Sequence, residues 1–387
     1  MEHPPPGIPE SRKAQVPLRR HFKVCGIALT ALTASLVLAE ALQWWLLPAP
    51  HPLRRRPGPA VFTFHTDGQV LPGISGQTRF TTESHGFRFP REIVVPKPAG
   101  VYRIFCVGGS TTECTYLDDA EAWPARLEAE LRRRFSKASI EVINAGFSGM
   151  TSSDHVEQIE GQILPLEADC IVLMAGMNDH LRRASLHEPS SRSWKRVAMD
   201  YSMTARRLIA AWRAVRVSTD NAGTYALDPS GDIYRRARDQ CAATAVADDA
   251  RSFQELPDPL PRFSENVQHI AELCHDRGVA LVLVTHPQMY RTTLTPKELG
   301  LLWMRSAIQF ADRQAPLDWH IAELDRLNNR TRELARQRGL TLVDAEALLP
   351  KSTAAFYDDC HLNVAGAALL AELVAESLAH ARIPGDS

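Results

Sequence analysis

Tyr102-Arg103-Ile104-Phe105-Cys106-Val107-Gly108-Gly109-Ser110-Thr111 is the stretch that decides the fold of this chain. Its first six residues form a largely apolar run of strand length. Gly108 and Gly109 carry no Cβ, so the chain can turn sharply after that run. A serine at the carboxyl end of a parallel strand sits where ligands of open α/β sheets bind. Working outward, strand-like runs recur at 140–144, 170–174, 280–285 and 341–344. Stretches of helical period lie between and after them: 123–135, where Trp123, Leu127 and Leu131 recur at a spacing of four, then 153–164, 262–277, 318–338 and 364–380. Gly278, after Arg277, marks a helix stop before the run that begins at Val279. Strands alternating with helices predict an α/β fold, a parallel sheet with helices on both faces.

Two further blocks carry chemistry, Ala175-Gly176-Met177-Asn178-Asp179 and Asp358-Asp359-Cys360-His361. A serine hydroxyl is a poor nucleophile until a base takes its proton. Ser110 is the candidate nucleophile and His361 the natural base. Asp358, three residues before His361, can hold the imidazole in the right tautomer and stabilise the imidazolium; Asp359 stands one step nearer. Asn178 can offer its side-chain N–H to a developing oxyanion. So can the backbone N–H of Gly146, in Asn144-Ala145-Gly146 at the end of another strand. Each such donor typically lowers the barrier by about 3 kcal/mol. Singly, these blocks have bland readings: a turn at Gly-Gly-Ser, a surface helix start at Asp-x-x-His, a turn or cap at Asn-Asp. Together, in this order, they point to moving an acyl group off an oxygen.

The set resembles the SGNH hydrolase superfamily, the GDSL esterases and lipases, over roughly residues 101–380. Its four name-giving residues fall on Ser110, Gly146, Asn178 and His361, and Asp358 completes the triad at the family's DxxH spacing. Gly109 stands where the family's Asp often does, which leaves the nucleophile in place. The resemblance implies a three-layer α/β/α sandwich with a five-stranded parallel, flavodoxin-like sheet. It implies a serine esterase that needs no metal or organic cofactor, with an oxyanion hole of the Ser110 backbone N–H, Gly146 and Asn178. An O-acyltransferase on the same residues, or a binding module that keeps the fold, are the alternatives. Related membrane-anchored members carry a segment like His85-Gly86-Phe87-Arg88 before the first strand, for which packing is expected.

The N-terminus is membrane-directed. Residues 1–23 are Pro-rich and basic, and Val24 to Leu47 are apolar over a length sufficient to cross a bilayer, which takes about 20 residues. Trp44 and Trp45 suit the interface. Arg12, Lys13, Arg19, Arg20 and Lys23 before the stretch outnumber Arg54, Arg55 and Arg56 after it, which orients the N-terminus to the cytoplasm and exports the rest to the periplasm or cell surface. Ala39-Glu40-Ala41 leaves a cleaved signal peptide as the rival. Residues 48–100 read as a Pro/Arg linker and a β-rich lead-in, and 101–383 as the catalytic domain, with an insertion at about 181–260 leaving from the Asn178 loop. Within the insertion, Met199 to Val217 and Tyr234–Ala247 have helical character. A net charge of −1 implies no nucleic-acid partner; an acyl ester of a glycan or lipid and the membrane are the expected partners. The seven cysteines form no CxxC or zinc-type cluster. Cys114 and Cys360 flank the candidate nucleophile and base, and an exported domain permits a Cys114–Cys360 disulfide.

Overall fold

The computed structural model describes residues 30–31, 33–40, 42–43, 59–183, 204 and 230–381. The chain divides into two compact units, Met1–Pro50 with Trp194–Ile209, and His51–Ser193 with Ala210–Ser387. In the first, residues 30–31, 33–40 and 42–43 are helical. Gln43 Nε2 donates to Thr204 Oγ1 at 2.8 Å, and Glu40 accepts from the Thr204 N–H at 3.2 Å. Among the described residues no helix is long and apolar enough to cross a membrane. The transmembrane helix expected over 24–47 is therefore not found there; the rest of that stretch, the linker to residue 58 and most of Met199 to Val217 lie outside the described residues.

The second unit is built on five parallel strands, β3 (Val101–Gly108), β4 (Ser139–Gly146), β5 (Cys170–Met174), β6 (Ala280–Val284) and β7 (Thr341–Val343). They lie in the spatial order β4-β3-β5-β6-β7. Chain direction across the sheet reverses between β3 and β5, and at such a switch point the connecting loops part and leave a crevice at the strand carboxyl ends. Ser110 follows β3 and Asn178 follows β5, so both residues sit at that crevice.

The strands are buried on both faces, and their alternation sorts side chains to two helical layers. Ile104 and Cys106 of β3, with Val172 and Val282, face α2 (Trp123–Arg134) and α8 (Val364–His380) through Leu127, Leu131, Leu370 and Val374. Phe105 and Val107, with Ile171 and Leu283, face α6 (Leu260–Asp276) and α7 (Leu317–Arg338) through Phe263, Val267, Ile270 and Leu334. In place of one helix over 153–164 the chain forms α3 (Ser152–Gln158), a π-helical turn at Ile159–Ile163 and a tight turn at Leu164–Leu166. Pro165 lacks the N–H that a continuing helix needs.

The lead-in is an antiparallel hairpin of β1 (Ala60–Thr66) and β2 (Gly76–Thr82), with Phe62 opposite Phe80. Arg88 bridges this hairpin to the sheet, pairing with Thr82 and with Asn144 of β4. Of the expected insertion, the described part after residue 229 contains α5 (Asp232–Ala243), close to the helix expected near Tyr234–Ala247.

Candidate active site

Ser110 opens a four-residue helix, α1 (Ser110–Glu113), directly after Gly108 and Gly109. Its Oγ lies 2.7 Å from His361 Nε2, and His361 Nδ1 lies 2.7 Å from Asp358 Oδ2. A carboxylate only accepts hydrogen bonds, so Nδ1 carries the proton and Nε2 presents its lone pair to Ser110. Asp358 is fully buried. Its Oδ1 takes the backbone N–H groups of Cys360 and His361, and Oδ2 also takes the Trp303 indole N–H at 2.9 Å. Burial alone would raise the Asp358 carboxyl. The His361 charge and the hydrogen bonds from His361 and Trp303 outweigh it and hold Asp358 below the usual carboxylate range. For His361 burial pulls down, and the Asp358 charge and hydrogen bond win, leaving the imidazole more basic than usual.

The neighbouring Asp359 does a different job. It accepts the Tyr290 hydroxyl at 2.7 Å and the backbone N–H groups of Trp303 and Met304. Burial first, then the Asp358 charge, raises its carboxyl above the ordinary value. It ties the 289–304 segment to the histidine loop and makes no bond to His361.

Asn178 lies in α4 (Met177–Leu181) after β5. Its Nδ2 donates one N–H to Met150 O at 2.9 Å, which leaves the second for a ligand. A Cβ at Gly109 would sit 2.6 Å from that Nδ2. The glycine at this point is what lets the Asn178 amide close down on the serine turn. Asp179 turns the other way, accepting Ser152 N–H and Oγ–H at the start of α3.

Gly146 is the one expected donor that does not present its N–H: the group donates to Asn144 Oδ1 at 2.9 Å. Its role is close packing, because a Cβ there would lie 2.4 Å from the Glu113 nitrogen, under the backbone of α1. Three residues on, Gly149 takes a left-handed φ of +78°, and no partner for its N–H is found among the described residues. This loop is pinned beside α1. Glu113, only 1 % exposed, accepts the Ser148 N–H at 2.9 Å and the Ser148 hydroxyl, and Arg182 donates to Gly149 O at 2.9 Å. Sequence reasoning stopped at the glycine nearest the strand end; the signal for the second was the loop position of Ser148-Gly149-Met150.

Arg88 is buried and holds the far end of α1, donating to Glu113 O at 2.9 Å, Cys114 O at 2.5 Å and Leu117 O at 2.7 Å. That is the packing role expected of the His85-Gly86-Phe87-Arg88 segment.

The expected Cys114–Cys360 bridge is not formed: both are free thiols. The helix that opens at Ser110 ends at Glu113, and Cys114 takes a φ of +55°. Cys114 Sγ contacts Thr111 O at 3.3 Å, while Cys360 Sγ lies 3.6 Å from Thr111 Oγ1 and 3.8 Å from Met304 Sδ. Each sulfur meets a different part of Thr111. Cys25 lies outside the described residues.

Asp358, Cys360 and His361 offer ligand atoms within 4.8 Å of one another. They do not suit a resident metal. Cys360 Sγ is already packed against Thr111 Oγ1 and Met304 Sδ. The Asp358 and His361 atoms are already bonded to each other.

An aromatic shell that sequence reasoning missed encloses the histidine. Tyr357 stacks on His361 at 5.4 Å and 13°, and Tyr234 of α5 meets it edge-on at 5.9 Å. The cleft above Ser110 is bounded by Met150, Met174, Met177, Asn178 and His286, among others, and is small, with a cavity volume of about 10 Å³. The array brings a serine hydroxyl, an imidazole, a buried carboxylate and N–H donors around one small space, the kinds of group that acyl transfer uses.

Among solved structures, the chain is similar to an acetylxylan esterase from Geobacillus stearothermophilus (15% identity, 72% of this chain and 94% of that chain covered, TM-score 0.41). It is also similar to an α/β hydrolase from the metagenome of Lake Arreo, Spain (16%, 72% and 95%, TM-score 0.40). A third is a GDSL-like lipase from Bacteroides thetaiotaomicron (14%, 72% and 88%, TM-score 0.36). No curated protein sequence matches. The model of the GDSL-like Lipase/Acylhydrolase family matches residues 106–369, more than half of the chain and a span that includes Ser110, Asn178, Asp358 and His361. The chain belongs to the GDSL-like lipase/acylhydrolase family and is an enzyme that acts on ester bonds.

Proposed function

We propose that this protein is a membrane-anchored serine esterase that removes short acyl groups, acetyl foremost, from a glycan or lipid outside the cytoplasm. The observation that carries the chemistry is the unbroken chain Ser110 Oγ, His361 Nε2, His361 Nδ1, Asp358 Oδ2, with 2.7 Å at both links. Ser110 Oγ attacks the ester carbonyl as its proton passes to His361 Nε2. Asp358 holds the resulting imidazolium. The oxyanion takes hydrogen bonds from the Ser110 N–H, the free Asn178 N–H and, in place of Gly146, the Gly149 N–H. His361 then protonates the departing alcohol oxygen. Water, deprotonated by the same imidazole, frees the acid and restores Ser110.

The cleft beside Ser110 has a cavity volume of only about 10 Å³, close to the room one water occupies, which supports a short acyl group. A panel of p-nitrophenyl esters of graded chain length tests this. Acetyl is expected to turn over fastest, with kcat/KM lower by about tenfold or more for octanoyl, because apolar methylenes that a pocket cannot seat cost at least that much. A flat or rising series would overturn the short-acyl assignment. No hydrolysis of any ester, together with no fluorophosphonate labelling, would overturn the esterase itself.

The anchor rests on sequence: the apolar stretch from Val24 to Leu47 and its basic N-terminal flank. Reporter domains fused after residue 60 are expected to be active only on the exported side. Activity confined to the cytoplasm would refute the topology, and a mature chain starting at Leu42 would replace the anchor with a cleaved signal.

A further inference from the structure

A second histidine shares the cleft with Ser110. His286 follows β6, two strands across the sheet from β3, and only 5 % of it is exposed. It lines the same cleft as Ser110 and Asn178. Its backbone is clamped on both sides by one side chain, Asn328, which accepts the His286 N–H at 2.7 Å and donates to the His286 carbonyl at 3.1 Å. The imidazole Nδ1 lies 3.0 Å from Pro287 O. A carbonyl oxygen can only accept, so Nδ1 is the protonated nitrogen and Nε2 is left as a bare lone pair. No described residue donates to it. Burial, against the opposing pull of the Pro287 carbonyl, lowers this histidine to about 4, so the lone pair stays available at neutral pH.

The same segment holds more polar capacity than the protein uses. Gln288, two residues on, is 1 % exposed, and neither its Oε1 nor its Nε2 has a partner among the described residues. Buried polar atoms are normally paired, and those that are not call for an explanation such as a ligand or water.

We propose that His286 is a substrate-binding residue: its Nε2 accepts a hydrogen bond from a free hydroxyl on the alcohol half of the ester, near the scissile oxygen. An unprotonated imidazole nitrogen rewards an O–H or N–H and offers nothing to an ether, a carbonyl or a phosphate oxygen. The alcohol half is the side concerned because His361 must hand its proton to the leaving oxygen, and His286 lies close enough to His361 for their charges to oppose each other. The substrate class is therefore an ester of a polyol with a neighbouring hydroxyl left unesterified, as on a partly acylated sugar. This rests on the assignment of Ser110 and His361 as nucleophile and base.

The test compares three acetates of one frame, 2-hydroxyethyl, 2-methoxyethyl and ethyl, on the full-length chain and on His286→Phe and His286→Gln. Wild type is expected to favour the hydroxyethyl over the methoxyethyl ester in kcat/KM by roughly threefold to tenfold, the worth of one hydrogen bond. His286→Phe, which keeps the bulk and removes the acceptor, is expected to bring the ratio to about one. His286→Gln, which restores an acceptor oxygen, is expected to recover part of it. Equal rates on the two esters in wild type, or an unchanged ratio in His286→Phe or, should that variant not fold, in His286→Leu, would overturn the assignment and leave the esterase standing. Absence of both acetate hydrolysis and fluorophosphonate labelling in wild type would instead overturn the esterase on which it rests.

Discussion

Ser110→Ala is expected to lower kcat for ester hydrolysis by on the order of 10⁶ and to abolish fluorophosphonate labelling, with the fold unchanged. The hydroxyl is the only group removed, and among the described residues its one hydrogen-bond partner is His361 Nε2. α1 does not depend on it: the helix is held by Arg88 on its terminal carbonyls and by Asn144, which donates to Thr112 O at 2.8 Å. The remaining oxyanion donors keep a residual rate above that of water. Activity within tenfold of wild type in a purified variant with an unchanged circular dichroism spectrum would remove Ser110 from the mechanism.

The two adjacent aspartates separate equally sharply. Asp358→Asn is expected to lower kcat by about 10⁴, because an amide no longer holds His361 in the tautomer that presents Nε2 to Ser110. The variant also changes the pH profile, with a definite sign. In wild type the Asp358 charge keeps His361 more basic than usual, so kcat/KM rises with pH through a midpoint above the ordinary histidine value. Removing that charge moves the residual activity's midpoint to lower pH. Asp359→Asn spares the relay and removes one acceptor from the Tyr290, Trp303 and Met304 donors, so its expected effect is a loss of stability of about 1–3 kcal/mol with a far smaller change in kcat. A larger kcat loss at Asp359 than at Asp358 in folded variants would reverse the roles.

How much of this was legible beforehand follows from the range of the interactions involved. The strands of the central sheet were readable because a strand buried on both faces must be apolar over its whole length, and Ile104-Phe105-Cys106-Val107 or Cys170-Ile171-Val172-Leu173 carry that mark by themselves. α2 and α8 were readable from helical spacing, and the Asp358–His361 pairing from a separation of three residues that brings a carboxylate back to an imidazole. In each case a short segment contains the whole cause.

The remaining features depend on what meets what. Gly146 ends β4 and Gly149 follows three residues later, and only the position of the Asn144 side chain and of the α1 backbone decides which of them has an N–H to spare. Cys114 and Cys360 are close to the site in sequence, yet the left-handed turn at Cys114 and the intervening Thr111 give each sulfur a neighbour other than its expected partner. Trp303 reaches Asp358, and His286 enters the cleft, from segments that carry no motif. The sequence by itself determined the α/β layering and the order of the chemical groups, because apolar period and short spacing are local properties. Tertiary structure alone decided which donors are free, which thiols stay reduced and which side chains enclose the histidine, because hydrogen-bond partners are assigned by contacts across elements far apart in the chain.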